Sequence, residues 1–207
     1  MREREGGMRV LIVGSGITGS LISRYISRLA ATTATIRTTI FDKARGPGGR
    51  FCTRDEAELG AQYITKMSDI ADEDLYEELL SRNQFVRLPS SLIRGIHESV
   101  IDKEHYEAPG GLESVAYELL NPETQIHFSR HVSEIVREDD SSWRVRYRDH
   151  MSDEETTSEK FDKIVLTPPV PQVVDLLKHS DLKVPEVLTQ VKYSSRFAVA
   201  LYPENPN

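Results

Sequence analysis

Cysteine is almost missing from the 207 residues: Cys52 stands alone, so no disulfide can close within the chain. That fits a reducing compartment, and Cys52 reads as a plain structural thiol. No apolar run approaches the ~20 residues that span a bilayer. The opening MREREGG has charge but no apolar core, so it is no ordinary secretory signal, and residues 1–7 read as a disordered extension. Cytoplasmic is the default compartment, and no membrane partner is expected. Positive charge is short: 26 Lys and Arg face 33 Asp and Glu, for a net charge of −7. That argues against the basic face a nucleic acid requires. HExxH and CxxC are both lacking. His127 and His131 would lie roughly 13 Å apart along a strand, too far for one ion, so no metal is expected.

What is present is alternation of βα units with hairpins. Residues 8–13 form a continuous apolar run, as a buried parallel strand requires. The helix after it carries Ile17, Leu21, Tyr25 and Leu29 at i+4 spacing, with Ile22 and Ile26 beside them. TIRTTIFD (35–42) reads as a second strand ending in an acid, which completes one βαβ unit. Helices are expected over 74–82, with Leu75, Leu79 and Leu80 inward, and over 110–120, with Leu112, Val115, Ala116 and Leu119 inward. HVSEIVRE (131–138), a DDSS turn and WRVRYR (143–148) read as a β-hairpin. There Trp143, Val145 and Tyr147 alternate with Arg144, Arg146 and Arg148, a wet face rather than a phosphate patch. Residues 150–160 read as an acidic loop, 161–171 as a buried strand stopped by prolines, and 194–202 as a late strand. The expected fold is therefore α/β: a nucleotide domain interrupted by a mainly β insertion.

The sharpest motif is RVLIVGSGITGS, a strand, a glycine turn and a helix. Gly14 permits the turn, Gly16 lets the backbone approach a pyrophosphate, and Gly19 lets helix pack on strand. The helix N-terminus offers free N–H groups and a positive dipole end. A P-loop is excluded, because Ser20 follows Gly19 where a lysine is needed. Asp42, with Lys43 behind it, ends the second strand, where an acid accepts ribose hydroxyls. FAD and NAD both use such a turn. DKARGPGGRF then supplies Gly48, Gly49 and Arg50, whose guanidinium can reinforce a pyrophosphate site. In ELGAQYIT (58–65) small residues let the backbone lie close to a flat ligand.

Taken together, GxGxxG, the acid, GGR and LGAQYIT resemble the flavin-containing amine-oxidase superfamily. LGAQYIT, FDKIVLTPPVPQ and YSSRFAVALY resemble one branch of it, from Met8 to about Tyr202. The resemblance implies a three-layer (ββα), FAD-binding Rossmann-like domain over 8–80 and 105–172, and a partial, mainly antiparallel substrate domain over 81–104 and 173–207. It implies FAD as cofactor. Thr18 matches a contact inside the turn, Arg50 one at the phosphates, Gln62 and Tyr63 residues beside the flavin, and Val132 a backbone contact to the adenine. No catalytic side chain is implied. Members of that branch oxidise off-isomer (1,2- and 1,6-) dihydro-NAD(P) to NAD(P)+, and oxygen takes the electrons to give hydrogen peroxide. The partners implied are thus a dihydronicotinamide dinucleotide and oxygen, with the oligomeric state open. Secretion without an ordinary signal peptide is the alternative location. Against that pattern the chain lacks the C-terminal segment with its closing Gly-Asp contact, and the loop FCTRDEAE is short. The resemblance therefore implies an oxidoreductase truncated at its C-terminus that turns over poorly by itself. The alternatives are another flavin amine or polyene oxidoreductase, and a catalytically silent FAD-binding fragment.

Overall fold

The computed structural model describes residues 7–33, 36–55, 57–67, 72–139, 141–149, 154–195 and 197–202. Most of the expected N-terminal extension, and the start of the acidic loop, lie outside these. Along the chain run β1 (Met8–Val13), α1 (Ile17–Thr33), β2 (Ile36–Phe41), β3 (Thr53–Arg54), β4 (Ala57–Glu58), β5 (Ile64–Thr65), α2 (Glu73–Ser81), β6 (Val86–Arg87), β7 (His105–Glu107) and α3 (Leu112–Glu118). They are followed by β8 (Gln125–His127), β9 (Arg130–Asp139), β10 (Ser142–Asp149), β11 (Glu155–Thr157), β12 (Lys163–Leu166), α4 (Val170–His179) and α5 (Glu186–Thr189). By packing, the chain divides into 1–49 with 116–195 and 50–115 with 196–207. These cuts differ from the segments drawn on sequence because β5 and β6 both pair with β7, and because α4 packs in the core of the first unit.

In the first unit a parallel sheet has the order β12-β1-β2-β8. Strand side chains alternate between faces, and β1 obeys this strictly. Leu11 and Val13 join Phe41 on one face, packed with Val132, Ile135, Val145, Tyr147, Phe161 and Leu176. Val10 and Ile12 join Ile40 and Leu120 on the other, against Ile22 and Ile26 of α1. Strands β9, β10 and β11 form an antiparallel three-stranded sheet over the first face. The layers are thus meander, parallel sheet and helix, the α/β Rossmann-like arrangement expected.

Three expectations are corrected in this unit. The apolar set of α1 is only partly inward: Ile22 and Ile26 pack on the sheet, but Leu29 is 60% exposed and Tyr25 37%, whereas Ser20 and Ser23 are fully buried. Small residues win because α1 lies close to the sheet, and Ser23 is held by Thr124 at 2.8 Å. The supposed acidic loop contains β11, which pairs Arg146 with Thr157 and Tyr147 with Thr156. Strand β12 stops at Leu166, ahead of the prolines as expected, but short of 171, because Pro169 is the N-cap of α4 and Pro171 lies in its first turn.

In the second unit β3 and β4 form a short hairpin, and β5-β7-β6 an antiparallel sheet. Leu75 and Leu79 of α2 are buried as expected, and Phe85 stacks on Tyr106 at 5.6 Å. Leu112 and Val115 are also buried there, and Ala116 and Leu119, which fall in the first unit, are buried too, as the periodicity predicts. The late strand expected at 194–202 is absent among the described residues. Phe197, Val199 and Leu201 are instead exposed, and Tyr202 donates its hydroxyl to Arg54 O at 3.0 Å.

The β9–β10 turn contains a pH-sensitive carboxylate. Ser142 Oγ, then the Ser141 N–H, hold Asp139 down to about 2. A depressed carboxyl stabilises the fold above its ordinary value of 3.8, and that contribution disappears as pH falls through about 2. Asp139→Asn should therefore remove part of the decline in stability between about pH 4 and pH 2, read from urea unfolding at each pH. An unchanged acid limb would show that the turn tolerates protonation.

Candidate functional site

The glycine turn between β1 and α1 sits at the carboxyl end of the parallel sheet. Gly14 has φ +101°, and a Cβ there would lie 2.6 Å from Thr167 Oγ1. Its N–H donates to Phe41 O at 2.8 Å, while Thr167 Oγ1 donates to Val13 O at 2.9 Å and Gly14 O at 3.1 Å. The turn is thereby tied to the ends of both neighbouring strands. A Cβ on Gly19 would lie 2.0 Å from Gly14 O, so the start of α1 tolerates only hydrogen there. Gly16 is different. A Cβ on it would meet nothing nearer than Gly48 O at 3.7 Å, an ordinary contact. Packing requires Gly14 and Gly19 but leaves Gly16 unexplained, as it would be if the space belongs to a ligand.

The helix end supplies matching chemistry. The first backbone bond of α1 joins Ser20 N–H to Gly16 O at 3.0 Å, so the amides of Ile17, Thr18 and Gly19 precede the ladder. No acid occupies the first turn, and Thr18 is exposed there. The GGR loop runs alongside: Gly48 donates to Ser15 O at 3.0 Å, and a Cβ on Gly49 would lie 3.4 Å from Gly16 Cα. Open space, free amides and a positive dipole end fit the pyrophosphate of a dinucleotide.

Asp42 is buried, and its carboxylate is engaged by the chain itself. Oδ2 accepts from Ser15 N–H and Ser15 Oγ, both at 2.6 Å, and Oδ1 accepts from Ala44 N–H at 2.7 Å. A carboxylate accepts about four hydrogen bonds, so one remains for a ribose hydroxyl. Asp42 thus also braces the turn through Ser15, a role the sequence does not announce. Lys43 is exposed, with Nζ 3.4 Å from Gln172 Oε1. Beyond Asp42, Arg130 lies over the rings of Phe41 and Tyr147, 4.9 and 4.8 Å from their centroids. Burial, and secondarily the Arg130 charge, push the His127 imidazole below its ordinary value. Val132 lies on β9, the edge strand of the meander, with its side chain buried. Arg144 and Arg146 pair with Glu138 and Glu134 at 3.3 and 2.8 Å, so that face is an ion-pair ladder.

The second unit brings the other expected residues together. Arg50 and Gln62 are exposed, and their segments pair: Ala61 N–H donates to Arg50 O at 2.9 Å and Leu59 N–H to Cys52 O at 3.0 Å. Gly60 permits the crossing, since a Cβ there would fall 1.8 Å from Arg50 O. Tyr63 is half-buried and meets His105 edge to face at 5.6 Å. Glu58 anchors the hairpin, accepting from Thr53 Oγ1 at 3.0 Å and from Leu112 N–H at 2.7 Å, where α3 begins.

Sheet order, meander and glycine turn define a Rossmann-like α/β fold. The family model for an NAD(P)-binding Rossmann-like domain matches residues 12–79. A solved structure of a candidate protoporphyrinogen oxidase from Exiguobacterium sp. 255-15 shares the fold. Its TM-score is 0.63 at 18% identity, over 88% of this chain and 63% of that one. The chain is similar to renalase of Mus musculus, with 33% identity over 95% of its own length. It spans 58% of the mouse protein. No described helix is long and apolar enough to cross a membrane.

The three glycines generate a contrast. Gly16→Ala should leave the apo unfolding midpoint near wild type and weaken dinucleotide binding about tenfold or more, because only a ligand competes for the space. Gly19→Ala should destabilise the apo chain outright. Thermal unfolding and a binding titration on both variants check this. Unaltered binding by Gly16→Ala would make the turn purely structural.

Proposed function

We propose that this chain is a flavin-dependent oxidoreductase of the renalase type. It binds FAD non-covalently and acts on off-isomer dihydro-NAD(P), yielding NAD(P)+ and hydrogen peroxide. The observation that carries the reading is the opening at Gly16 above the uncapped end of α1, in a chain similar to renalase along almost all its length. When bound, FAD supplies a two-electron acceptor that takes a hydride from the dihydronicotinamide and passes the electrons to oxygen. The α1 amides hold the pyrophosphate, with the Arg50 guanidinium as a second, charge-assisted donor. Asp42 keeps the turn in shape through Ser15 and offers its remaining acceptor site to the ribose. Val132 meets the adenine through its backbone. Gln62 and Tyr63 border the flavin, on a segment stiffened by the Gly60 crossing. No side chain need act as nucleophile or base, since hydride transfer asks for alignment and exclusion of water. Residues 81–104 and 173–207 belong, in this reading, to the substrate side.

A second reading, FAD binding with little turnover, is favoured by the exposure of Phe197, Val199 and Leu201, apolar residues that would have to pack to close a dry pocket. Two measurements decide. Acid precipitation of the FAD-loaded chain should release free FAD, and a pellet that stays yellow would contradict non-covalent binding. Anaerobic mixing with an off-isomer dihydronicotinamide should bleach the flavin at least about tenfold faster than the ordinary isomer does, a difference of about 1.4 kcal/mol in barrier. Equal rates with both isomers would overturn the substrate assignment, and retained FAD with no bleaching would leave binding alone.

A further inference from the structure

Ser15 lies inside the glycine turn and is fully buried. Its polar groups tie three elements to one point. The N–H and the hydroxyl both donate to Asp42 Oδ2, each at 2.6 Å. The carbonyl accepts from Gly48 N–H of the GGR loop at 3.0 Å and, more weakly, from Ser20 Oγ of α1 at 3.4 Å. The other carboxylate oxygen, Oδ1, accepts from Ala44 N–H at 2.7 Å. A carboxylate has about four acceptor sites, about two on each oxygen, so the Ser15 donors fill Oδ2. Both bonds to Oδ2 are buried, whereas the bond to Oδ1 is only partly so, and its donor Ala44 is exposed. The open acceptor position therefore belongs to the oxygen on the solvent side, and Asp42 keeps 9% exposure.

We propose that Asp42 reads one hydroxyl of a bound ribose rather than the pair, and that Ser15 is the positioning residue behind this selectivity. The proposal rests on the reading that the glycine turn holds the adenosine half of FAD. An acid with both oxygens free grasps a cis-diol at both hydroxyls. Here the chain itself takes one oxygen, so the diol meets a single acceptor. The Ser15 hydroxyl keeps it so. Without that donor a buried lone pair on Oδ2 is left unsatisfied, which is costly, and the carboxylate gains by turning Oδ2 toward whatever donor arrives. The fixed, one-sided presentation of Oδ1 is then lost.

The probes are FAD and two analogues, one with 2′-deoxyadenosine and one with 3′-deoxyadenosine. Each is titrated by flavin fluorescence against the full 207-residue chain. Wild type should bind one analogue about tenfold more weakly than FAD and the other within about threefold of FAD. Equal losses with both analogues, or no loss with either, would overturn the single-hydroxyl reading without any substitution. Ser15→Ala deletes the hydroxyl and keeps the backbone N–H, and Ser15→Gly makes the same deletion without a Cβ. In both, the two analogues should come within about threefold of each other. A purely structural role predicts something else: a lower apo melting temperature, all three ligands weakened alike, and the ratio between the analogues unchanged. That ratio preserved in either variant would overturn the role of Ser15. A wild-type chain that binds no FAD would instead remove the underlying reading, and the proposal with it.

Discussion

No side chain fits between the start of α1 and the turn that feeds it. The 2.0 Å that would separate a Gly19 Cβ from Gly14 O means that helix and strand end meet backbone to backbone. Everything at the carboxyl end of the sheet follows from that approach. With α1 drawn in this far, its fully buried positions go to small residues, Ser20 and Ser23, and Ile22 and Ile26 pack on the sheet beside them. The helix end then projects its amides past the strand tips, and β2 is close enough for its terminal acid to grasp the turn. Thr167, arriving at the end of β12, closes the other side by bonding Val13 O and Gly14 O.

Asp42 connects this constraint to chemistry. One carboxylate oxygen takes both the N–H and the hydroxyl of Ser15, and the other takes the Ala44 N–H. An acid so engaged is pre-oriented, and a ligand need not expend binding energy on arranging it. The same logic holds for the hairpin at Gly60, where Arg50 and Ala61 are tied through the backbone before any ligand arrives.

The glycine turn, β1 and β2, the inward faces of α2 and α3 and the β9–β10 hairpin were legible in sequence. In each, the pattern is local and the period is the one the packing uses. The face of α1 was legible only in part: Ile22 and Ile26 pack on the sheet, but periodicity gives equal weight to Tyr25 and Leu29 and none to the buried Ser20 and Ser23. Strand β11 hides in a polar stretch, since Glu155–Thr157 lies on an exposed edge where alternation carries no apolar half. Helix α4 hides behind prolines, which signal a stop after one element and a start before another. The strand expected at 194–202 shows the converse: alternating apolar residues specify a strand only where a neighbour is present to pair. Ser15 carries no local signal, since its significance arises from Asp42, a residue remote in the chain.

The insertion of the meander between β8 and β12 also bears on the order in which the polypeptide can assemble. Strand β1 is central, and one of its two partners is β12, with Val10 opposite Lys163; Arg9 N–H and the carboxylate of Asp162 meet across 153 residues of sequence. Contacts of such separation slow folding, because loop closure must precede the reward. During synthesis at 5–20 residues per second, the free edge of β1 would wait about 8–30 s for its partner to emerge. For that interval the most apolar strand of the protein is open on one side. The nascent chain is then a substrate for any chaperone that recognises extended apolar segments, and the completed sheet is not.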